Sequence, residues 1–268
     1  MKKRTKSIKE LLDFSQRRIM ITGAGGGIGL ATAKRFAEAG AHLQLVDIDR
    51  KKLSLARSAI TKNYKVDVEV FAVDLSRKDE IDSLWKKIEG KEPDTLVNNA
   101  GVYMFRDFLD IDEKFLGEMM RTNFESTFWM CQNFIKSRLK VGGVIINLGS
   151  IEAVMPFASG LSHYDVAKTS VLALTRALAR EFGRKGFRIN AVVPGGIETP
   201  GVKKLKKETA MKLRLDMIKL GMEFKSRLPL GRFGDPDEVA TTILFLASDM
   251  ASYITGALIP VDGGFLSA

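Results

Sequence analysis

A chain of 268 residues, with 45% hydrophobic and 28% charged residues, suffices for one large α/β domain and excludes a disordered protein. The single cysteine, Cys131, excludes an intrachain disulfide framework, and two histidines without CxxC or HExxH patterns exclude a histidine-rich metal site. The net charge of +10 leaves an anionic partner open. No apolar run reaches the roughly 18 residues of a membrane span, so we expect a cytoplasmic protein. No bound metal is expected either.

The predicted elements alternate in chain order between short apolar strands and amphipathic helices. Strands are predicted at 18–22, 41–46, 66–73, 95–98, 144–148, 188–193 and 257–261, and helices at 27–39, 50–60, 78–88, 113–139, 163–183 and 237–247. Strands separated by helices of this length need crossover connections, which predicts a doubly wound, Rossmann-like α/β domain with about seven parallel strands. We expect residues 17–268 to form one dinucleotide-binding catalytic domain, with a small helical lid at 200–228 and a basic N-terminal extension at 1–16.

A glycine-rich loop follows the first strand, at the strand end where a doubly wound sheet binds its ligands. Glycine leaves no side chain between the backbone and a pyrophosphate, and the helix that begins here offers free N–H groups to the phosphates. A tight turn would explain the glycines alone, but the strand before them and the helix after them favour a dinucleotide site. The predicted phosphate-binding residues are Gly23, Gly25, Gly27, Ile28 and Gly29.

The second strand ends at Asp47, 18 positions after Gly29 (47 − 29). A carboxylate at this position bonds the ribose hydroxyls of NAD(H) and repels the additional phosphate of NADP(H). Ile48, and not a basic residue, comes next in the sequence. Asp47 therefore favours NAD(H), although a helix N-cap would explain this residue too and Arg50 leaves NADP(H) open.

Two later strand ends add candidate cofactor contacts. Asp74 and Leu75 follow the third strand, where a carboxylate could accept from the adenine amino group or cap the next helix. Asn99, Ala100 and Gly101 follow the fourth strand. Small residues and amides suit close passage along a cofactor, although this segment alone would be interpreted as a turn.

Tyr164 and Lys168, four positions apart, share one face of the helix predicted at 163–183. A free phenol has a pKa of about 10 and a nearby ammonium stabilises the phenolate, so Lys168 is expected to lower the pKa of Tyr164. The pair follows the fifth strand, whose end carries Ser150, a hydroxyl that can hold the reacting oxygen. Asn123, in the helix predicted at 113–139, is either a structural amide or the holder of a water for proton relay.

Several motifs follow one another along the chain: Thr22-Gly-x3-Gly-x-Gly, Asn98-Asn-Ala-Gly, Asn123, Ser150, Tyr164-x3-Lys168, Pro194-Gly195 and Val261-Asp262-Gly263-Gly264. In this order the chain resembles the short-chain dehydrogenase/reductase family from about Arg18 to Phe265. One departure is the distance of 14 positions between Ser150 and Tyr164 (164 − 150), one more than is usual in that family. This difference leaves the shape of the substrate pocket open.

The resemblance implies a role for each matched residue. Tyr164 would be the general acid/base, and Lys168 would hold the nicotinamide ribose and lower the tyrosine pKa. Ser150 would position the carbonyl oxygen, and Asn123 would complete a proton relay through water. The nicotinamide would lie beside Pro194, Gly195, Ile197 and Thr199. The resemblance also implies a homotetramer.

Substrate contacts are expected from Glu152, Phe157 and His163 and from the lid, with ordinary loop or helix surface as the alternative for each. This loop resembles that of sugar dehydrogenases of the family, whereas the C-terminal half resembles 3-oxoacyl-carrier-protein reductases equally well. With Asp47, the pattern favours an NAD(H)-dependent sugar or polyol dehydrogenase acting on a small molecule. The alternatives are an acyl-carrier reductase using NADPH and an inactive dinucleotide-binding sensor. No nucleic-acid or membrane partner is expected, because the basic segments lack a recognition motif.

Overall fold

Seven strands form one parallel sheet in the computed structural model of the protein, which describes residues 5–202 and 215–268. The strands are β1 Arg18–Thr22, β2 His42–Asp47, β3 Val68–Ala72, β4 Thr95–Asn98, β5 Gly143–Leu148, β6 Phe187–Pro194 and β7 Leu258–Val261. Their order is β3-β2-β1-β4-β5-β6-β7, and every neighbouring pair is parallel. The predicted doubly wound α/β fold is confirmed, and all strands end at the same edge of the sheet.

Helices cover both faces of the sheet. They are α1 Ile8–Leu11, α2 Gly27–Glu38, α3 Arg50–Thr61, α4 Lys78–Lys87, α5 Glu113–Met120, α6 Ser126–Arg138, α7 Ser162–Phe182, α8 Leu215–Ser226 and α9 Pro236–Ala247. α2, α3 and α9 pack on one face, and α4, α6 and α7 contribute to the other. α8 lies in the segment predicted as a lid, of which 203–214 is outside the described residues. In the described part of the chain, no helix is long and apolar enough to cross a membrane.

The central strand β1 shows how the sequence builds these two layers. Ile19 and Ile21 pack with α2, α3 and α9, while Met20 between them packs with α4 and α6. Successive side chains of a strand point to opposite faces of the sheet, so an uninterrupted apolar run is buried on both. All three side chains are fully buried, and each burial contributes about 1.5–3 kcal/mol relative to exposure.

The single helix predicted at 113–139 is interrupted. A π-helical turn, Arg121–Glu125, lies between α5 and α6. Such turns insert one residue into an α-helix and occur frequently at functional sites. This one contains Asn123, which is fully buried and accepts a hydrogen bond at Oδ1 from the N–H of Val102 at 2.8 Å. The turn therefore fixes an amide group that a regular helix would place differently.

The segment predicted as an N-terminal extension packs onto the domain in its second half. Phe14 is fully buried, its ring centre lies 5.1 Å from that of Phe36, and its N–H donates to the carbonyl of Ala39. Asp249, just after α9, forms ion pairs with Lys6 at 2.5 Å and with Arg17 at 2.6 Å. Residues before 17 thus contribute to the hydrophobic core, and the predicted boundary cuts through a packed segment.

We expect Phe14→Ala to lower the free energy of unfolding by about 3–5 kcal/mol, because it removes a buried ring and leaves a cavity beside α2. A denaturant titration measures this loss. Ile8→Ala is the matched control, since Ile8 lies in the same segment but is 69% exposed, and it should change stability by less than about 0.5 kcal/mol. Equal losses in the two variants would contradict the packing of Phe14.

The turn from β1 into α2 requires glycine at Gly29, in the first turn of the helix. A Cβ placed on Gly29 would lie 2.2 Å from the carbonyl oxygen of Gly23 and 2.7 Å from Nδ2 of Asn99. Gly26, three residues earlier, has no atom within 4 Å of the corresponding position. Gly29 therefore permits the close approach of helix and strand, and Gly26 does not serve that purpose.

Gly29→Ala should lower the free energy of unfolding by about 1–3 kcal/mol, because the added methyl group must displace backbone atoms of the loop. Gly26→Ala, which adds the same methyl group into open space, should cost less than about 1 kcal/mol. Both values follow from thermal or denaturant unfolding of the purified variants. A Gly29→Ala protein as stable as the wild type would refute the close packing described above.

Candidate active site

Hydrogen bonds join β1 and β4 at their carboxyl ends. Thr22 Oγ1 accepts from the N–H groups of Asn99 and Ala100, at 2.9 and 3.0 Å. Asn99 Nδ2 donates in turn to the carbonyl oxygens of Thr22 and Gly23, at 2.9 and 3.1 Å. β2 lies on one side of this pair of strands and β5 on the other, so the strand order reverses here. Doubly wound sheets bind their ligands in the crevice at this point.

The N-terminus of α2 opens into the same crevice. Its N-cap is Gly26, which has no side chain to accept from the first N–H groups of the helix. Gly23 and Gly27 have φ values of 63° and 53°, in the left-handed region that favours glycine. Uncapped N–H groups and the positive end of the helix dipole suit an anion, so these residues fit the pyrophosphate of a dinucleotide.

Asp47 lies at the end of β2, beside the glycine loop. Its Oδ2 accepts from the N–H of Gly25 at 2.9 Å, and its Oδ1 accepts from the N–H of Asp49 at 3.0 Å. The N-cap of α3 is Asp49 and not Asp47, so the capping interpretation of Asp47 is wrong. Ile48 is 69% exposed and offers an apolar surface next to this carboxylate. Asp47 is therefore a fixed negative charge at the mouth of the crevice.

Asp74 and Leu75, which follow β3, differ in their surroundings. Asp74 Oδ1 accepts from the N–H and hydroxyl of Ser76, and the N-cap of α4 is Arg77, so Asp74 does not cap that helix. Leu75 is buried in the hydrophobic core, which leaves only its backbone to contact a cofactor.

The segment after β6 reaches from the sheet to the glycine loop. The N–H of Gly195, which follows Pro194, donates to the carbonyl of Val261 at 3.0 Å, and Ile197 forms an isolated bridge with Gly234. Thr199 Cγ2 lies 3.4 Å from a Cβ built on Gly27. The residues predicted beside the nicotinamide thus lie along one wall of the crevice.

Tyr164, at the beginning of α7, lies near the hydroxyl of Ser150 after β5. Burial raises the pKa of Tyr164 to about 12; the Ser150 hydroxyl opposes this shift, while the nearby carboxylates of Glu152 and Asp165 add to it. The net shift of this pKa is upward, opposite to the expected direction, and a lowering by Lys168 is not part of it. Tyr164 is consequently a neutral phenol, and a proton donor, near neutral pH.

Lys168 lies one turn later on α7 and is 4% exposed. Its Nζ donates to the carbonyl of Leu148 at 2.9 Å and lies 5.9 Å from the centre of the Tyr164 ring. Burial lowers the pKa of Lys168 to about 8. A Cβ on Gly101 would lie 3.5 Å from Lys168 Nζ and 2.9 Å from Asn123 Oδ1, so the strand end after β4 brings these two side chains together.

Among the predicted substrate residues Glu152, Phe157 and His163, Glu152 carries a charge that acts on the pKa of Tyr164. Its N–H donates to Ser150 Oγ at 3.2 Å, and its carboxylate, in a residue that is 5% exposed, accepts from the N–H of Phe157 at 2.9 Å. Burial raises the pKa of the Glu152 carboxyl. Glu152 therefore presents a desolvated hydrogen-bond acceptor beside the Ser150–Tyr164 pair.

His163 and Phe157 are instead held in packing contacts. His163 is 3% exposed, its Nε2 lies 3.0 Å from the carbonyl oxygen of Met104, and its ring packs against Phe115. The Phe157 ring packs edge to face against Phe224 of α8 and against Phe265. Both residues support the walls of the site.

Sequence reasoning missed two residues that flank Tyr164. Tyr103 packs its ring edge to face on the Tyr164 ring, with the centres 5.0 Å apart. Asp165 follows Tyr164 and raises its pKa. The position of Tyr103, two residues after the strand-end motif that closes with Gly101, was the available signal. In the described residues, no group of three or more His, Cys, Asp or Glu could hold a metal ion.

Comparisons with known proteins agree with this geometry. The family model described as enoyl-(acyl carrier protein) reductase matches residues 23–266. The 3-oxoacyl-[acyl-carrier-protein] reductase FabG of Thermotoga maritima is 36% identical over 254 residues, covering 92% of this chain and 96% of that protein. Galactitol 2-dehydrogenase (L-tagatose-forming) of Cereibacter sphaeroides is 36% identical over 251 residues, covering 91% and 93%.

Among solved structures, L-sorbose reductase of Gluconobacter frateurii complexed with NADPH and L-sorbose has a TM-score of 0.87 and 28% identity, over 96% of this chain and 99% of that one. The strand order and the crevice at the reversal of that order accord with this likeness. The chain belongs to the short-chain dehydrogenase/reductase family, whose members are oxidoreductases that act on CH–OH or carbonyl groups with NAD or NADP.

Proposed function

We propose that the protein is an NAD(H)-dependent oxidoreductase that interconverts a secondary alcohol and a carbonyl on a sugar or polyol. The observation that carries this proposal is the proximity of the Ser150 hydroxyl to Tyr164, with the Nζ of buried Lys168 5.9 Å from the centre of the tyrosine ring. The buried carboxylate of Glu152 next to this pair is an acceptor for hydroxyl groups. It supports a hydroxyl-rich substrate over an acyl chain.

Residues around the crevice would hold the dinucleotide. The uncapped N-terminus of α2 would bind the pyrophosphate, Asp47 the adenosine ribose, and the segment from Pro194 to Thr199 the nicotinamide end. Lys168 would donate to the nicotinamide ribose. The nicotinamide, when bound, supplies or accepts the hydride.

The protein's own side chains would move the proton. In the reducing direction Ser150 holds the carbonyl oxygen and Tyr164, whose pKa is about 12, donates its proton to that oxygen. In the oxidising direction Tyr164 takes the proton back. Asn123 Nδ2 is buried and has no hydrogen-bond partner among the described residues, which supports a role in holding a relay water near Lys168.

Asp47 supports NAD(H) over NADP(H). Two N–H groups fix its carboxylate beside the loop, and a fixed negative charge repels a phosphate at the 2′ position. Arg50 and Lys52 at the start of α3 support NADP(H), as does the NADPH bound in the L-sorbose reductase structure. We give Asp47 the greater weight because exposed basic side chains are solvated and interact weakly.

A homotetramer belongs to the same proposal. The helices α6 and α7 carry exposed apolar side chains, among them Phe128 at 36%, Leu139 at the C-terminal end of α6 at 47%, and Val166 at 59%. Association through these helices would remove that apolar surface from water.

Initial rates with NAD(H) and NADP(H) side by side test the proposal, with aldoses and polyols for oxidation and 3-oxoacyl thioesters for reduction. We expect a polyol to be oxidised with NAD at a kcat/KM at least about tenfold above that with NADP, and Asp47→Asn to reduce this preference by removing the repelling charge. Asp49→Asn is the matched control, because Asp49 caps α3, and it should leave the preference unchanged. Reduction of thioesters with NADPH alone would assign the activity of the Thermotoga relative instead.

Tyr164→Phe should lower kcat/KM by a factor of about 10²–10⁴ while NADH binding, measured by fluorescence titration, stays within about threefold of wild type. The variant keeps the ring contact with Tyr103 and loses only the proton donor. Tyr103→Phe removes the neighbouring phenol and should retain most of the rate. Equal rates for wild type and Tyr164→Phe would exclude the mechanism, and no turnover by the wild type with any substrate would favour the dinucleotide-binding sensor.

A further inference from the structure

The β3 edge of the sheet is a surface that the chemistry above does not use. β3 is the last strand of the sheet and pairs with β2 alone. The N–H of Val73 donates to the carbonyl of Asp47 at 3.0 Å, and alternate residues of a strand turn their peptide groups to the same neighbour. The peptide groups of Val70 and Ala72 therefore face away from β2, and no hydrogen bond within residues 5–202 and 215–268 satisfies them.

A groove of about 580 Å³ runs along this edge, with α3 on one side and α4 on the other. Its floor is apolar and is formed by Val70 and Phe71 of β3, Leu53 of α3 and Leu84 of α4. Unpaired peptide groups beside apolar side chains are the features that an added strand uses. β3 is four strands from β5, which leads to Ser150, so the groove lies about 19 Å from that strand at the usual spacing.

Three basic side chains line the groove: Arg50, Arg57 and Lys87. In the described part of the chain none of them forms an ion pair, and Lys87 Nζ lies 5.5 Å from the centre of the Phe71 ring. The carboxylate among the lining residues, Glu80, is already engaged. Its Oε1 lies 3.5 Å from Arg77 Nε, and its Oε2 accepts from the N–H of Asp74 at 2.8 Å. The groove therefore presents positive charge to its occupant.

We propose that this groove binds an extended acidic segment of a partner protein, which adds to β3 as a further strand of the sheet. The peptide groups of Val70 and Ala72 would pair with the backbone of the segment, as in other complexes formed by strand addition. Its apolar side chains would contact the floor of the groove, and its carboxylates would pair with Arg57 and Lys87. This interaction does not depend on the reaction proposed above.

The basic lining favours this occupant over the others. A second copy of the chain would bring the same three cations to the contact, where like charges repel. The segments 1–4 and 203–214 of this chain hold three and six basic residues and a single carboxylate, Glu208, so they carry the same sign of charge as the groove. A nucleic acid has the opposite charge but no peptide groups to pair with the strand.

The probe is the fluorescein-labelled peptide amide Glu-Glu-Val-Thr-Val-Glu-Glu, titrated with the full-length protein by fluorescence anisotropy. We expect a Kd of about 100 µM or tighter at low salt, rising as salt screens the charges. Arg57→Gln/Lys87→Gln should raise the Kd about threefold to tenfold. The matched control is Lys51→Gln/Lys86→Gln, which removes exposed charges from the same two helices but outside the groove and should leave the Kd unchanged.

Hydrogen–deuterium exchange of the wild type distinguishes strand addition from ionic adhesion alone. The bound peptide should slow the exchange of the N–H groups of Val70 and Ala72 by at least about tenfold, because they gain partners. The N–H of Phe71 already faces β2 and should change little. This measurement needs no variant, so it decides the proposal even where a substitution impairs folding.

Three results would overturn the proposal. The first is a peptide that does not bind, in which case Arg57 and Lys87 only guard the edge strand against aggregation. The second is an equal loss of affinity in the two double variants at unchanged unfolding temperature. The third is binding without slower exchange at Val70 and Ala72. A single-stranded oligonucleotide whose binding needs Arg57 and Lys87, while the peptide does not bind, would assign the groove to nucleic acid instead.

Discussion

The hydrogen bonds between the ends of β1 and β4 are the constraint on which the candidate site depends. At this place the chain turns to β2 on one side and to β5 on the other, and the peptide groups that leave the sheet lose their strand partners. Thr22 Oγ1 and the amide of Asn99 satisfy them, where unpaired buried groups would each cost about 1–3 kcal/mol. The glycine loop, Tyr164 and the segment from Pro194 to Thr199 are all arranged around the crevice that lies at this pairing.

Burial disfavours the charged forms of both Tyr164 and Lys168, the two titratable groups at the centre of the site. It raises the pKa of Tyr164 and lowers that of Lys168, so both are displaced toward their neutral forms. In the proposed mechanism, the phenol of Tyr164 would hold its proton until a negative charge develops on the substrate oxygen. The carboxylates of Glu152 and Asp165 act on Tyr164 in the same direction, and a positively charged group in the crevice would act against it. Burial and these carboxylates together oppose ionisation of Tyr164.

Much of this arrangement was predictable because it depends on local patterns. The strands follow from apolar runs, and the placement of Asp47 and Ser150 along one edge of the sheet follows from the rule that parallel strands end at the same edge. The π turn around Asn123 was not predictable, since one inserted residue hardly alters an apolar periodicity. Nor was the packing of Phe14, which depends on partners distant in the sequence, or the dominance of burial at Tyr164, which depends on the assembled surroundings.

The contact between α2 and α9 has a consequence for how the chain is made. The N-terminus of α2 opens into the crevice, yet the outer side of this helix is completed by residues about 200 positions later, including the ion pair of Arg35 with Asp237. During synthesis from the N-terminus, the first βαβ unit therefore emerges with one apolar side of α2 uncovered until nearly the whole chain has left the ribosome. Contacts of such long sequence separation slow folding. The glycine loop and α2 are thus among the first parts of the protein to be translated and among the last to acquire their final packing.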